Sequence, residues 1–396
     1  MSDLQAGLGV STAQDVKQAV AEAVRSATEQ LGGRAPRLAI VTSTIEHDAT
    51  EVHSEIRSAL PNVPLHGATT SLGVLSSRIA TGKNGAIGVM LLSSDGDVAF
   101  ASGSAAIDGD GRRAGAQAAT QVKERLGGRT ARMLYIAGSP GSEEDILAGI
   151  ADVLPNVPVF GGSAADNAIT GGWSVFMDEG VSPNALSLAA VAGDVRIGAA
   201  LGGPYEPSGI EAEIAESTGR TLARLGERPA AEVLNGWVDD AIGAQVREGG
   251  NILVQMALTP LGIAHASGDT SFYTLLHPAH AHSDGRVDLF ARADQGQTVC
   301  LMRGSPESLG KILDDVATRA LAASGLRVEE VRAALVIYCA GCAGAVGGGL
   351  EASLARLGDR FRGVPIIGRC TFGEQGHVPG IGNVHTNLSA SVVLLG

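Results

Sequence analysis

Short apolar runs recur along the chain, each followed by an amphipathic stretch and a proline motif. The runs at 38–41, 133–136 and 335–338 are too short for helices and lack polar alternation, which predicts buried strands. Behind each, a helical period leads to Leu60-Pro-Asn-Val-Pro64, to its letter-for-letter repeat Leu154-Pro-Asn-Val-Pro158, and to the looser Gly363-Val-Pro365-Ile-Ile-Gly368. Gly67 and Gly161 close the first two copies as Gly368 closes the third. A polar turn follows, then an apolar run at 86–92, 186–191 or 388–395. The unit reads as a parallel strand pair with a crossover helix, extended by a hairpin strand.

The helices carry their own punctuation. Ser142-Glu-Glu-Asp145 reads as a capping box with acids in the first turn, ahead of an apolar stripe of Ile146, Ile150, Val153 and Leu154. Leu350, Leu354 and Leu357 share a face in the third copy, which ends near Gly358. Longer helices precede the units: Thr12 to Asp15 caps one carrying Val16, Val20, Val24 and Leu31. Ser305-Pro306 opens another, with Leu309, Ile312, Leu313, Val316 and Leu321, running to Gly325. Two units fill the chain to about residue 203, and 202–209 is the best linker. Beyond it the pattern predicts helices near 214–225 and 229–242, then strands at 252–258, 272–276, 287–291 and 299–302. The expected fold is α/β: repeated strand–helix–strand units in mostly parallel or mixed sheets. Two domains are expected, 1–207 with two units and 208–396 with one unit plus short antiparallel strands.

Composition narrows the partners. A net charge of -13 argues against nucleic acid and anionic lipid, which demand clustered cations. Aromatic residues at 3% leave little for base-stacking platforms. The uncharged run at 333–350 is broken by Gly341, Gly344, Gly347, Gly348 and Gly349, so no membrane insertion is expected. The opening Met1-Ser2-Asp3-Leu4 lacks the basic and apolar regions of a leader, and four cysteines make no disulfide framework. A cytoplasmic protein with reduced thiols is the expectation; nothing in the sequence indicates an oligomeric state.

Gly67-Ala-Thr-Thr-Ser71 and Gly161-Gly-Ser-Ala-Ala-Asp166, followed by 173–178 and 185–191, resemble the turn and the second landmark in the N-terminal part of the FIST family, a two-part sensory module. In the C-terminal part, 284–302 resembles the family's short strands, and Cys339-Ala-Gly-Cys342 falls at its Cys-x-Gly-Arg position, with Cys342 in place of Arg. Phe372-Gly-Glu374 and His385-Thr-Asn387 match the closing landmarks. The resemblance implies a protein that binds a small ligand such as an amino acid. Some members bind haem and regulate a partner histidine kinase.

The expected ligand-binding set is Cys339, Cys342, Cys370, Glu374, Asn387, His385, Asp166, Ser163 and Thr70. Cys339 and Cys342 sit where a buried strand enters a glycine-rich loop, a place where backbone amides hold anions or acidify thiols. The pair also suits zinc or redox chemistry, with Cys370 and His377 or His385 as further zinc ligands if the fold gathers them. Two small residues packing a strand end is the bland alternative. The glycines after Cys339 fit no G-x-G-x-x-G pattern, and no Lys-Ser/Thr follows, which argues against a nucleotide. His280 and His282, in a histidine-rich loop-like stretch, are candidate metal or haem-iron ligands. Glu374 and Asp166 lie past the strand after the proline motif, where α/β sheets gather ligands; a carboxylate there binds an amine, caps a turn or pairs with Arg369. No Gly-x-Ser-x-Gly elbow surrounds Ser139 or Ser163. A ligand-binding sensor is the first reading, and a thiol- or metal-dependent enzyme built on Cys339 and Cys342 is the second.

Overall fold

The computed structural model describes residues 3–83, 85–267 and 270–396; Met1 and Ser2 lie outside them. Three copies of one unit organise the chain, each larger than the sequence pattern suggested. The first runs strand Gln5–Ser11, helix Val16–Gln30, strand Leu38–Thr44, helix Ala49–Ala59, strand Leu65–Leu75, strand Ile87–Ser93. The second repeats it with Ala99–Ala106, Gly111–Arg125, Ala131–Gly138, Glu143–Val153, Val159–Ser163 and Ala185–Ala192. The third uses Ile197–Gly202, Ile312–Ser324, Ala333–Cys339, Gly349–Arg360, Ile366–Thr371 and Ala390–Leu395. In every copy the two inner strands pair in parallel and the last strand pairs antiparallel between the first and second strands. The third copy is interrupted after its first strand by an antiparallel insertion that includes Glu206–Thr218, Leu261–Ser267 and Thr298–Arg303. Among the described residues no helix is long and apolar enough to cross a membrane.

The glycine that closes each proline motif has a shared cause. Gly67 lies opposite Val41, Gly161 opposite Ile136, and Gly368 opposite Val336 across the parallel pair. A Cβ on these glycines would stand 2.0 Å from the Val41 carbonyl oxygen, 2.1 Å from that of Ile136 and 2.4 Å from that of Val336. The neighbouring backbone occupies the side-chain position, so only glycine fits.

The third unit joins the other two. Strand Ile366–Thr371 pairs with Leu65–Leu75 of the first unit. After Phe372 and Gly373, strand Glu374–Val378 crosses to the second unit, with Glu374 opposite Gly162 and Gln375 opposite Gly161. The two sheets enclose a core that includes Ile40, Met90, Met133, Tyr135, Phe160, Leu335, Ile337 and Val393. Helices cover their outer faces; the first unit's Val20, Val52 and Ile56 pack on Val41 and Val89 within one cluster. Arg369 is buried between the sheets, where its Nη2 donates to the Ile136 carbonyl at 3.2 Å and its guanidinium lies 5.6 Å from the Tyr135 ring centre.

Four local expectations need correction. The stretch 214–225 is not helical: it forms strands Glu206–Thr218 and Thr221–Leu225. There Glu211 and Glu213 alternate with Ala212 and Ile214 at period two, and Gly219 turns the chain in the left-handed region (φ 60). The expected strand at 252–258 is a single helical turn, Leu253–Met256, where the Asn251 Oδ1 accepts from the Leu253 N–H at 2.9 Å. The Ser142 side chain makes no cap bond. The long helix from Ser305 is split into Pro306–Leu309 and Ile312–Ser324, although the Ser305 capping box and the Gly325 left-handed stop are present.

Alanine at Gly67, Gly161 or Gly368 is expected to cost about 1–3 kcal/mol each in urea unfolding, from overpacking against the facing carbonyl. Gly344, where an added Cβ meets nothing within 4 Å, is the control and is expected to gain up to about 1 kcal/mol from helix propensity on Gly344→Ala.

Candidate functional site

At the C-terminal ends of the parallel strands, all three units and the insertion surround one cavity of about 320 Å³. The first unit supplies Ser71 and Leu72, the second Asp166, Asn167 and Ile169, and the third Cys339, Gly341, Gly344, Thr371, Phe372 and Asn387. The insertion closes it with Leu253, Val254, Ala257, His277 and Phe290. This is where an open α/β sheet gathers ligands.

Cys339 ends strand Ala333–Cys339 and caps the short helix Ala340–Val346. The Cys342 thiol donates toward its sulfur, and the backbone N–H groups of Cys342, Gly341 and Leu388 also point to it. Together these outweigh burial and bring the Cys339 thiol down to about 7. Cys342, fully buried behind it, is pushed well up by burial and by the neighbouring Cys339 charge. Burial also pushes up the Cys370 thiol.

Glu374 lies behind the same wall and is fully buried. Its Oε1 accepts from the Thr371 hydroxyl at 2.7 Å and its Oε2 from the Ser389 N–H at 3.2 Å. Burial, and then the Cys339 charge, raise its carboxyl well above the ordinary range, which favours the protonated form.

Asn387 carries the clearest sign of a missing partner. Its Oδ1 accepts from the His277 N–H at 3.0 Å, which fixes the amide orientation. Its Nδ2 is buried with no partner, on a side chain 2% exposed in the cavity lining. An unpaired buried donor costs about 1–3 kcal/mol, which a ligand acceptor would recover. His277 donates from Nε2 to the Leu253 carbonyl at 2.9 Å, and burial lowers its pKa to about 4, leaving a neutral ring.

The mouth is apolar and strained. Leu72, Ile169 and Val254 line it at 47%, 44% and 84% exposure. Leu72 (φ 65) and Ile169 (φ 56) both adopt left-handed backbone, which non-glycine residues rarely do. Leu72 is held by its N–H donating to the Asn167 Oδ1 at 2.9 Å. The Asp166 carboxylate accepts from the N–H groups of Ala168, Ile169, Thr170 and Gly172. Burial would raise its pKa, but these four donors outweigh burial and hold it low.

Of the expected set, Cys339, Asp166 and Asn387 line the cavity, while Cys342, Cys370 and Glu374 stand behind its wall. The Asp166 carboxylate is spent on its own loop, as a turn-forming residue rather than a free amine site. Thr70 faces backbone, its Oγ1 donating to the Gly73 carbonyl at 3.0 Å and accepting from the Cys370 N–H at 2.9 Å. Ser163 donates to Glu143 at 2.7 Å, and His385 contacts Gln375 and lines a separate, more open cleft with Glu144 and Arg292. His282 is taken by Asp288 at 2.7 Å with the His280 ring 4.8 Å away, and neither lines the cavity. Among the described residues no group of three or more His, Cys, Asp or Glu is arranged to hold a metal ion. Haem fits poorly too. Among the described residues no Lys or Arg lines the cavity to meet propionates, the His277 Nε2 is engaged, and the volume is at the small end for ligand sites. Sequence reasoning missed Leu72, Ile169, Leu253, Val254, His277 and Phe290; His277 stood in the histidine-rich stretch, but its partner Leu253 was assigned to a strand.

Residues 37–228 match the FIST N domain and residues 230–377 the FIST C domain. No curated protein matches the chain. Among solved structures, a cyanuric acid hydrolase aligns at 10% identity and TM-score 0.34, over 99% of this chain and 100% of that one. PurLQS from Thermotoga maritima aligns at 11% identity and TM-score 0.25, over 100% of this chain and 73% of that one.

Two titrations test the site. Iodoacetamide alkylation of the folded protein is expected to label Cys339 first, with a half-maximal rate near pH 7; a midpoint near 9, the ordinary thiol value, would refute the assignment. Glu374 is protonated in the fold above its ordinary 4.5. Its contribution to stability is therefore full below pH 4.5 and lost as pH rises through its raised folded value. Glu374→Gln should flatten that part of the stability–pH curve while leaving the acid limb in place.

Proposed function

The chain belongs to the FIST family, whose domains are sensory, ligand-binding signalling modules, and from that premise we propose that it binds a small molecule in the cavity between its parts and passes occupancy to a partner signalling protein such as a histidine kinase. The observation that carries the reading is convergence: all three units and the insertion meet on one cavity, with the unpaired Asn387 Nδ2 in its wall. Asp166 is the one carboxylate among the lining residues and is already saturated, so an ammonium group gains no partner there. The ligand this favours has an apolar body and one acceptor oxygen, a carbonyl or carboxyl, for Asn387. The exposed Leu72, Ile169 and Val254 around the mouth support a partner that reads the filled cavity, because apolar rims of this kind mark interaction sites.

Two substitutions test this. Asn387→Asp keeps the acceptor for the His277 N–H and removes the free donor. It is expected to weaken binding of a carbonyl-bearing metabolite about tenfold or more, measured by calorimetry after a native mass spectrometry screen. Gly344→Leu projects into space where a Cβ meets nothing, so it should fill the cavity and abolish binding without unfolding the protein. Unchanged affinity in both variants would place the ligand elsewhere. The partner step is read from histidine-kinase autophosphorylation with the protein added in its free and ligand-bound forms.

A further inference from the structure

Cys339 and Cys342 stand apart from the rest of the wall. They occupy the last residue of a buried strand and the first turn of the following helix, spaced so that both side chains fall on one side. Gly341 lies between them and packs beside the sulfur: a Cβ there would be in ordinary contact with the Cys339 Sγ at 3.5 Å and the His277 ring at 3.4 Å, and tight only against Leu388 at 3.0 Å. Cys339 lines the cavity, whereas Cys342 is sealed behind it with the Tyr205 hydroxyl 3.8 Å from its sulfur. One thiol is thus open to a small molecule and the other only to its neighbour.

We propose that Cys339 and Cys342 form a dithiol site in the cavity wall that hydrogen peroxide oxidises to a disulfide. The Cys339 thiolate attacks one peroxide oxygen, the O–O bond breaks, and the departing hydroxide takes a proton to become water. Cys339 is left as a sulfenic acid. The Cys342 thiol gives up its proton and attacks the Cys339 sulfur, the S–O bond breaks, and the second hydroxide leaves as water with that proton. Two thiols lose two electrons, and the peroxide becomes two waters.

The surroundings favour each step. The amides and the Cys342 proton that stabilise the Cys339 thiolate provide the nucleophile near neutral pH. The charge on Cys339 is among the causes that hold the Cys342 proton in place, so forming the sulfenic acid releases that restraint. The same charge acts on Glu374, and its loss in the disulfide eases ionisation of that carboxyl. Oxidation would therefore change the electrostatics behind the Asn387 wall, a consequence that rests on the ligand-binding reading above, whereas the disulfide itself does not.

Peptide mapping of the full chain after hydrogen peroxide treatment and alkylation tests the site without any ligand. The expected result is a Cys339–Cys342 peptide lighter by two hydrogens, reversed by dithiothreitol. In Cys342→Ser, Cys339 should stop at the sulfenic acid and be trapped by dimedone, whereas Cys370→Ser should still form the disulfide. Wild-type Cys339 passing to the sulfinic acid with no disulfide, or pairing with Cys370, would overturn the proposal. Because the readout is mass and not binding, its failure would leave the Asn387→Asp result standing, and the reverse holds as well.

Discussion

Two residues, Phe372 and Gly373, separate a strand paired to the first unit from a strand paired to the second. The site depends on that crossing. A Cβ on Gly373 would lie 2.4 Å from the His385 ring, so the crossing is made at a point with no room for a side chain. Because the third unit pairs with both others, the ends of three separate parallel strand pairs are brought around one space. Thr371 and Glu374 flank the crossing, which is why Glu374 is buried behind the cavity wall instead of lining it.

Burial then governs the chemistry of the wall. Glu374 and Cys339 face each other in a low-dielectric setting where two negative charges would be costly. The Cys342 thiol and then the backbone amides around Cys339 favour the charge on the sulfur, while Glu374 is offered a hydroxyl and a single N–H. The cavity side of this wall is largely apolar, so the one unpaired amide at Asn387 stands out against it.

The repeat was legible because its cause is local and recurs. Each proline motif closes on a glycine whose side-chain space is taken by the neighbouring carbonyl, and that constraint leaves the same letter in all three copies. The edge strands Gln5–Ser11 and Ala99–Ala106 escaped the pattern because their burial is partial and their side chains small. The insertion was harder. Leu253 to Met256 has apolar residues suited to a strand, and only the distant His277, bonded to the Leu253 carbonyl, shows where that turn belongs. Cys339, Asp166 and Asn387 were singled out from motifs and line the cavity, but the sequence left open whether Asp166 meets an amine or forms a turn. Its donors come from the loop it organises, and no spacing rule distinguishes such a carboxylate from one that meets a ligand.

The position of the insertion bears on how such a protein is built. The third unit's first strand, Ile197–Gly202, and its helix, Ile312–Ser324, remain packed against one another even though an antiparallel lobe separates them in sequence. The equivalent junctions in the other copies, between Ser11 and Val16 and between Ala106 and Gly111, are short and simple. The architecture thus has three equivalent junctions, or sockets, and a module in only one of them. A grafted domain at either vacant socket would extend the scaffold without cutting a parallel strand pair, which makes the fold a natural chassis for construction of multi-lobed receptors.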